Sequence, residues 1–359
     1  MRKSEKIFLV FSLIFFFTGI FQISAAEKNS QVKSGAKSME NLKIKNGQTL
    51  YDTDGNVLHA HGGWILKVGK TYYWYGENRT ENNYVACYSS ENLIDWEFRN
   101  NILTTESKTQ ETRVRADLKL FNEEAGKKVN IERPKVLYNE KTKKYVMWAH
   151  YENGINYSKA AVAVASCDSP DGDFVYHGSF NPFGNMSRDC TVFVDDGKAY
   201  FASAARGNAD MILYLLQDDY LNVEKQIGTF WSNEYREAPS FVKVKDKYYC
   251  FSSFCTGWDP NQCKYTFTKD FESGFGQLTE IGDETTYQSQ PAFILTIQGS
   301  KKTSYVYVGD RWNGKEYHSS TYTWFPLTFN KDGSVEMTYC DELEINAQTG
   351  EINPIVYKD

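Results

Sequence analysis

The sequence predicts an all-β fold, a five-bladed β-propeller, and three observations carry that prediction. One phrase recurs five times: a polar residue, an apolar strand, a turn, and an aromatic-rich strand. The repeats are spaced roughly 50 to 70 positions apart, and four strands with their loops need about 40–50 residues. After the N-terminal segment no stretch of useful length has a helical period.

The five polar residues are His61 (HGGWILKVGKTYYWYG), Glu132 (ERPKVLYNEKTKKYVMWAH), Asp189 (DCTVFVDDGKAYFASA), Glu237 (EAPSFVKVKDKYYCFSS) and Gln290 (QPAFILTIQGSKKTSYVYVGD). In a propeller the first strand of each blade lines the axis, so these five residues are expected to converge. Three of them are carboxylates.

Taken in order, the chain opens with Arg2, Lys3 and Lys6, then the apolar run IFLVFSLIFFFTGIF, then Ser24-Ala25-Ala26. This is the pattern of a secretory signal peptide over residues 1–26, cut after Ala26, and it predicts a secreted or periplasmic protein. Residues 27–43 are polar and read as a flexible leader. The propeller is expected over residues 44–359. Hairpin turns are predicted at Val68-Gly69-Lys70, Asn139 to Lys143, Asp195-Asp196-Gly197, Lys245-Asp246-Lys247 and Gly299-Ser300. Extra length between Ile102 and Asn130 predicts a rim loop or short helix. The run STYTWFPLTF after Tyr317 is expected to close the ring.

The net charge is −6, and cleavage of the signal peptide would remove Arg2, Lys3 and Lys6 against Glu5, making the mature chain more acidic still, which argues against a nucleic-acid partner. No later segment is long and apolar enough to span a bilayer, so no stable membrane insertion is expected after signal removal. The 7 cysteines match no zinc spacing. A Cys255–Cys263 bridge would close one loop, and an odd count leaves at least one thiol unpaired within the chain.

A carboxylate beside a buried strand is costly unless it is paired or functional. Ion pairs with the adjacent Arg133, Arg188 and Arg236 would explain any one of the three. Three at equivalent positions suggest chemistry: like charges brought together push pKa values apart, leaving one acid protonated. Glycoside hydrolysis uses that arrangement. The aromatic share is 16%, which suits blade strands and also sugar stacking. Trp64, Tyr73, Tyr151, Trp258, Trp312 and Trp324 are the aromatic candidates. Trp258 and Trp312 stand out because they lie in polar loops, and Asp310 and Arg311 are suited to sugar hydroxyls.

With these residues in view, the chain resembles glycoside hydrolase family 43, five-bladed propeller enzymes that cleave with inversion. The motifs are AHGG at 60–63, ERPKV at 132–136, SRDCTVFVDDG at 187–197, REAPS at 236–240, SSFCTGW at 252–258, SQ at 289–290 and GDRW at 309–312. Within the family the set is similar to the exo-β-1,3-galactanase branch. The resemblance implies Glu237 as general acid and Asp189 as the residue that tunes it. Most of the family has an Asp base in blade one, where this chain has His61. The galactanase-like branch implies that Gln290 holds the attacking water, through its imidic tautomer, and that Glu132 is essential. On basicity alone Glu132 is the better base, so both assignments stand at this point.

Expected substrate contacts are His61, Tyr151, Trp258, Asp310, Arg311 and Trp312. No cofactor and no catalytic metal are expected; the partner is an oligo- or polysaccharide. The function expected is release of galactose from non-reducing ends of β-1,3-galactan. Alternatives are β-galactofuranosidase or α-L-arabinofuranosidase activity on the same fold, or a non-catalytic carbohydrate-binding propeller.

Overall fold

Five antiparallel sheets of four strands each make up the body of the molecule. The computed structural model describes residues 43–113 and 115–358. The predicted signal peptide and nearly all of the leader lie outside the described residues. Among those described, the helical segments are two short 3-10 turns, Pro182–Gly184 and Tyr317–Ser319.

Each sheet is a meander in chain order. Sheet one begins with His61–Val68, sheet two with Asn130–Asn139, sheet three with Cys190–Asp195, sheet four with Arg236–Val244 and sheet five with Gln290–Gln298. The first strand of each sheet lies against the first strand of the next, and the fifth lies against the first. The turns fall where Gly, Asp and Lys punctuate the apolar runs. Asp196 and Gly197, at φ 48° and 72°, form the two-residue link into Lys198–Ala205. Two positive φ values in succession suit the right-handed twist of the flanking strands.

The core sits between neighbouring sheets. Tyr75, Val136 and Met147 pack sheet one on sheet two. Trp148, Val192 and Phe201 pack sheet two on sheet three, and Leu213, Phe241 and Cys250 pack sheet three on sheet four. A larger cluster containing Trp74, Phe251, Ile294 and Trp324 joins sheets four, five and one. Every first strand thus loses apolar surface on both faces, which is why these strands read as near-continuous apolar runs.

The run after Tyr317 forms Thr321–Phe329, the third strand of sheet five, and its Tyr322 and Trp324 pack against His61 and Trp74 of sheet one, as expected. A separate three-stranded sheet pairs Lys43–Lys45 with Glu342–Asn346, which pairs with Glu351–Ile355. Asn46 extends the tie, accepting from the Trp324 backbone N–H at 2.6 Å and donating to the Trp324 and Cys340 carbonyls. Of the rim loop or short helix expected after Ile102, the described residues form a loop with a small hairpin, bridged to the outer strand of sheet two at Tyr176 and Ser179. All seven cysteines are free, so Cys255 and Cys263 are not bridged.

Candidate active site

Four of the five polar residues at the starts of the first strands, all but Asp189, share a local device. Register breaks just after them, between His61 and Trp64, Glu132 and Lys135, Glu237 and Ser240, and Pro291 and Phe293. In three of these bulges the second residue is left-handed: Gly62 at φ 57°, Arg133 at 55° and Ala238 at 52°. A bulge bends the strand and re-aims its side chains. Here it brings charge to one end of strands whose remaining length is packed with hydrocarbon.

A cavity of about 270 Å³ opens at that end, with Glu132, Asp189, Glu237 and Gln290 in its wall. Arg133 is the bridge among them. Its Nε lies 3.1 Å from Asp189 Oδ2, its Nη1 donates to the Pro291 carbonyl at 2.9 Å, and its Nη2 donates to Gln290 Oε1. The adjacent arginines do not pair with their sequence neighbours. Arg236 turns to Ser252, and Arg188 donates to the Tyr157 carbonyl.

Glu237 and Glu132 have opposite electrostatics. Burial, and next the charge of Asp189, push Glu237 up to about 7, against the pull of Cys255, Arg133 and Gln290. Gln290 Nε2 donates to Glu237 Oε1 at 2.8 Å and Asn208 Nδ2 to Oε2 at 3.1 Å. Burial also works to raise Glu132, but His150, Arg79 and Tyr157 outweigh it and hold the carboxyl down at about 2. Tyr157 donates to Glu132 Oε1 at 2.8 Å, Arg79 at 3.1 Å, and His150 Nδ1 lies 3.2 Å from Oε2. Two carboxyls in one cavity therefore hold a proton very differently.

The family model for glycosyl hydrolases family 43 matches residues 58–274. The chain belongs to glycosyl hydrolase family 43. A comparison with curated proteins found no match. Among solved structures, an exo-β-1,3-galactanase from Clostridium thermocellum is 44% identical with a TM-score of 0.80, covering 89% of this chain and 70% of that one. An exo-β-1,3-galactanase from Phanerochaete chrysosporium, a Glu→Gln variant with β-1,3-galactotriose, is 32% identical with a TM-score of 0.77, covering 88% and 71%. A family 43 β-1,3-galactosidase with galactodeoxynojirimycin is 30% identical with a TM-score of 0.71, covering 83% and 99%.

In this family 43 chain the expected site residues divide. Glu132, Asp189, Glu237, Gln290, Trp258 and Trp312 all line the cavity. Trp258 is 44% exposed at its mouth. Trp312 donates from Nε1 to Gln290 Oε1 at 2.8 Å.

Four expected sugar contacts do not line it. His61 is fully buried, stacked on Tyr322 with ring centroids 4.4 Å apart, and its Nδ1 lies 3.0 Å from Asp310 Oδ1. Asp310 is itself 1% exposed, and its second oxygen accepts from the Gly62 backbone at 3.0 Å. These two residues clamp the sheet-one bulge; they do not meet a ligand in the main cavity. Tyr151 lies in the core between sheets one and two, and its hydroxyl donates to the Lys119 carbonyl. It follows His150 on the same strand, and since His150 faces the cavity Tyr151 must face away. Arg311 donates to the Tyr287 carbonyl and, with Asp310, borders an adjoining cavity of about 190 Å³ that shares Trp258, Gln290 and Trp312 with the first.

Sequence reasoning missed Glu77. It ends the second strand of sheet one, directly opposite His61. Its carboxylate accepts from Arg79 Nη2 at 2.6 Å, from Tyr317 Oη at 2.9 Å and from the Arg133 backbone at 3.1 Å. Sheet one, whose first strand opens with His61, delivers its carboxylate from the second strand. The available signal was a charged residue ending an aromatic strand, in YYWYGENR. Arg79, His150, Tyr157, Arg188 and Asn208 complete the polar wall.

Proposed function

We propose that the protein is an inverting, exo-acting β-1,3-galactanase that releases galactose from non-reducing ends. The observation that carries this reading is the split pair of carboxyls in one cavity: Glu237 raised to about 7 and Glu132 lowered to about 2. A carboxyl that keeps its proton near neutrality is suited to protonate a leaving oxygen. Galactanases among the similar structures support the sugar and the linkage. The succession of five four-stranded sheets with neighbouring first strands supports reading the domain, residues 44–359, as a five-bladed propeller. The N-terminal pattern of residues 1–26 supports secreted or periplasmic localisation.

In this mechanism Glu237 gives its proton to the glycosidic oxygen as the C1–O bond breaks. Water forms the new C1–O bond from the opposite face, and the proton it sheds leaves through solvent while Glu237 is reprotonated. Burial, and next the charge of Asp189, keep Glu237 protonated. Glu132 is held by Tyr157, Arg79, Asn130 and His150, which makes it a fixed negative charge for the oxocarbenium-like state and a poor base. Gln290 spends both amide donors on Glu237 and Ser253 and both carbonyl lone pairs on Arg133 and Trp312, so it fixes the acid and the Trp312 indole, and holding the attacking water would require one of these bonds to open.

The test is proton NMR of the reaction with β-1,3-galactan, run beside aryl galactofuranoside and arabinofuranoside. The expected result is free galactose appearing first as the α-anomer. Release of a furanose sugar alone would move the specificity to another family member, and binding without product would make this a carbohydrate-binding module.

A further inference from the structure

Asn208 sits in the turn between Lys198–Ala205 and Asp210–Leu216 of sheet three, at φ 68°. Its Nδ2 donates to Glu237 Oε2 at 3.1 Å and to Cys255 Sγ at 3.0 Å. Its Oδ1 is buried with no partner. A buried carbonyl without a donor is costly, so folding stability does not explain this side chain. Its left-handed backbone would accept glycine at least as well.

We propose that Asn208 is a positioning residue for the general acid: it fixes the Glu237 carboxyl and favours its ionised form once the proton has passed to the leaving oxygen. This inference rests on the reading of Glu237 as the acid. Gln290 grips one carboxyl oxygen from sheet five and Asn208 grips the other from sheet three, so rotation of the carboxyl is blocked from two sides. The ionisable groups facing Glu237 are Asp189, which disfavours its charge, and Arg133 and Cys255, which favour it. Asn208 joins the second set without carrying charge itself. A donor to the ionised form lowers the pKa, so its removal keeps the acid protonated to higher pH.

The experiment is the pH dependence of kcat/KM on β-1,3-galactan for wild type, Asn208→Gly, Asn208→Asp and Glu237→Gln, with melting temperature measured in parallel. Asn208→Gly keeps the turn and removes the amide. Its alkaline limb is expected to move up by about one pH unit, with kcat down about tenfold and KM changed little. Asn208→Asp, of nearly the same shape, is expected to move the limb further, because it sets a second carboxylate against Glu237. A turn residue with no such role would alter melting temperature and leave the limb in place. An unmoved limb and unchanged kcat in both Asn208 variants, with Glu237→Gln inactive, would overturn the positioning role and leave the acid standing. Full turnover in Glu237→Gln would overturn both.

Discussion

The same five first strands end in two different environments. At their N-terminal ends, Glu132, Asp189, Glu237 and Gln290 meet around a polar cavity. Further along, Trp64, Leu66, Leu137, Phe193, Phe241 and Leu295 line a second cavity of about 540 Å³ that is mostly hydrocarbon. Register breaks cluster at the first end, where Arg133 and Ala238 hold left-handed backbone that non-glycine residues seldom adopt. The regular end is what inter-sheet packing produces unaided. The polar end departs from it in four of the five first strands, and three of those departures place Glu132, Glu237 and Gln290 at the cavity. Stability and chemistry should therefore be separable along a single strand.

The largest expected effect is on turnover at the polar end. Glu237→Gln removes the acid and should lower kcat by about 10³-fold, with little change in melting temperature. Arg133→Met strikes both properties, because Arg133 joins Asp189, Gln290 and the Pro291 carbonyl. It should cost about 3 kcal/mol in denaturant unfolding and also lower kcat. At the hydrocarbon end, Leu295→Ala should cost a similar ~3 kcal/mol through its buried cavity and leave kcat unchanged. A large loss of kcat in that variant would break the separation.

Gly62→Ala should have a smaller effect. The backbone there is at φ 57°, and an added Cβ would lie 2.6 Å from Glu77 Oε1. A loss of about 1–2 kcal/mol is expected from the left-handed strain and the displaced carboxylate.

The smallest effect is a pH window set by Glu132 and His150. Burial opposes both shifts, but His150, Arg79 and Tyr157 outweigh it at Glu132, and Glu132 and Glu152 outweigh it at His150. Glu132 lies below its usual 4.5, at about 2, so its contribution to stability is complete above 4.5 and is lost as pH falls toward 2. His150 lies above its usual 6.5, at about 9, so its contribution is complete below 6.5 and is lost as pH rises through 9. The pair stabilises most between about pH 4.5 and 6.5. Melting temperature followed against pH should flatten on its alkaline side in His150→Gln.

These same ends explain what could be read from the sequence. The five repeats, their turns and the strand order follow from alternating apolar runs and turn residues. Glu132, Asp189, Glu237 and Gln290 were legible because each opens a repeat at the same point. His61 opens its repeat too, yet its partner is Asp310, and neither lines the main cavity. Glu77 takes the polar place from the neighbouring strand, and a repeat pattern cannot reveal that exchange across a hairpin. Asn208 and Tyr157 reach the cavity from turns and loops, where no period marks which residues face inward. Tyr151 was misread because a one-residue step along a strand reverses the face.

The most direct test of the account is the pH profile of kcat/KM on β-1,3-galactan, for the wild-type enzyme and for the residual activity of Glu237→Gln. Glu237, raised to about 7 by its burial and by Asp189, predicts a wild-type rate that falls as pH rises through that value. The variant should show no such fall. An alkaline limb that persists unchanged in Glu237→Gln would contradict the assignment of the acid and the convergence it stands for.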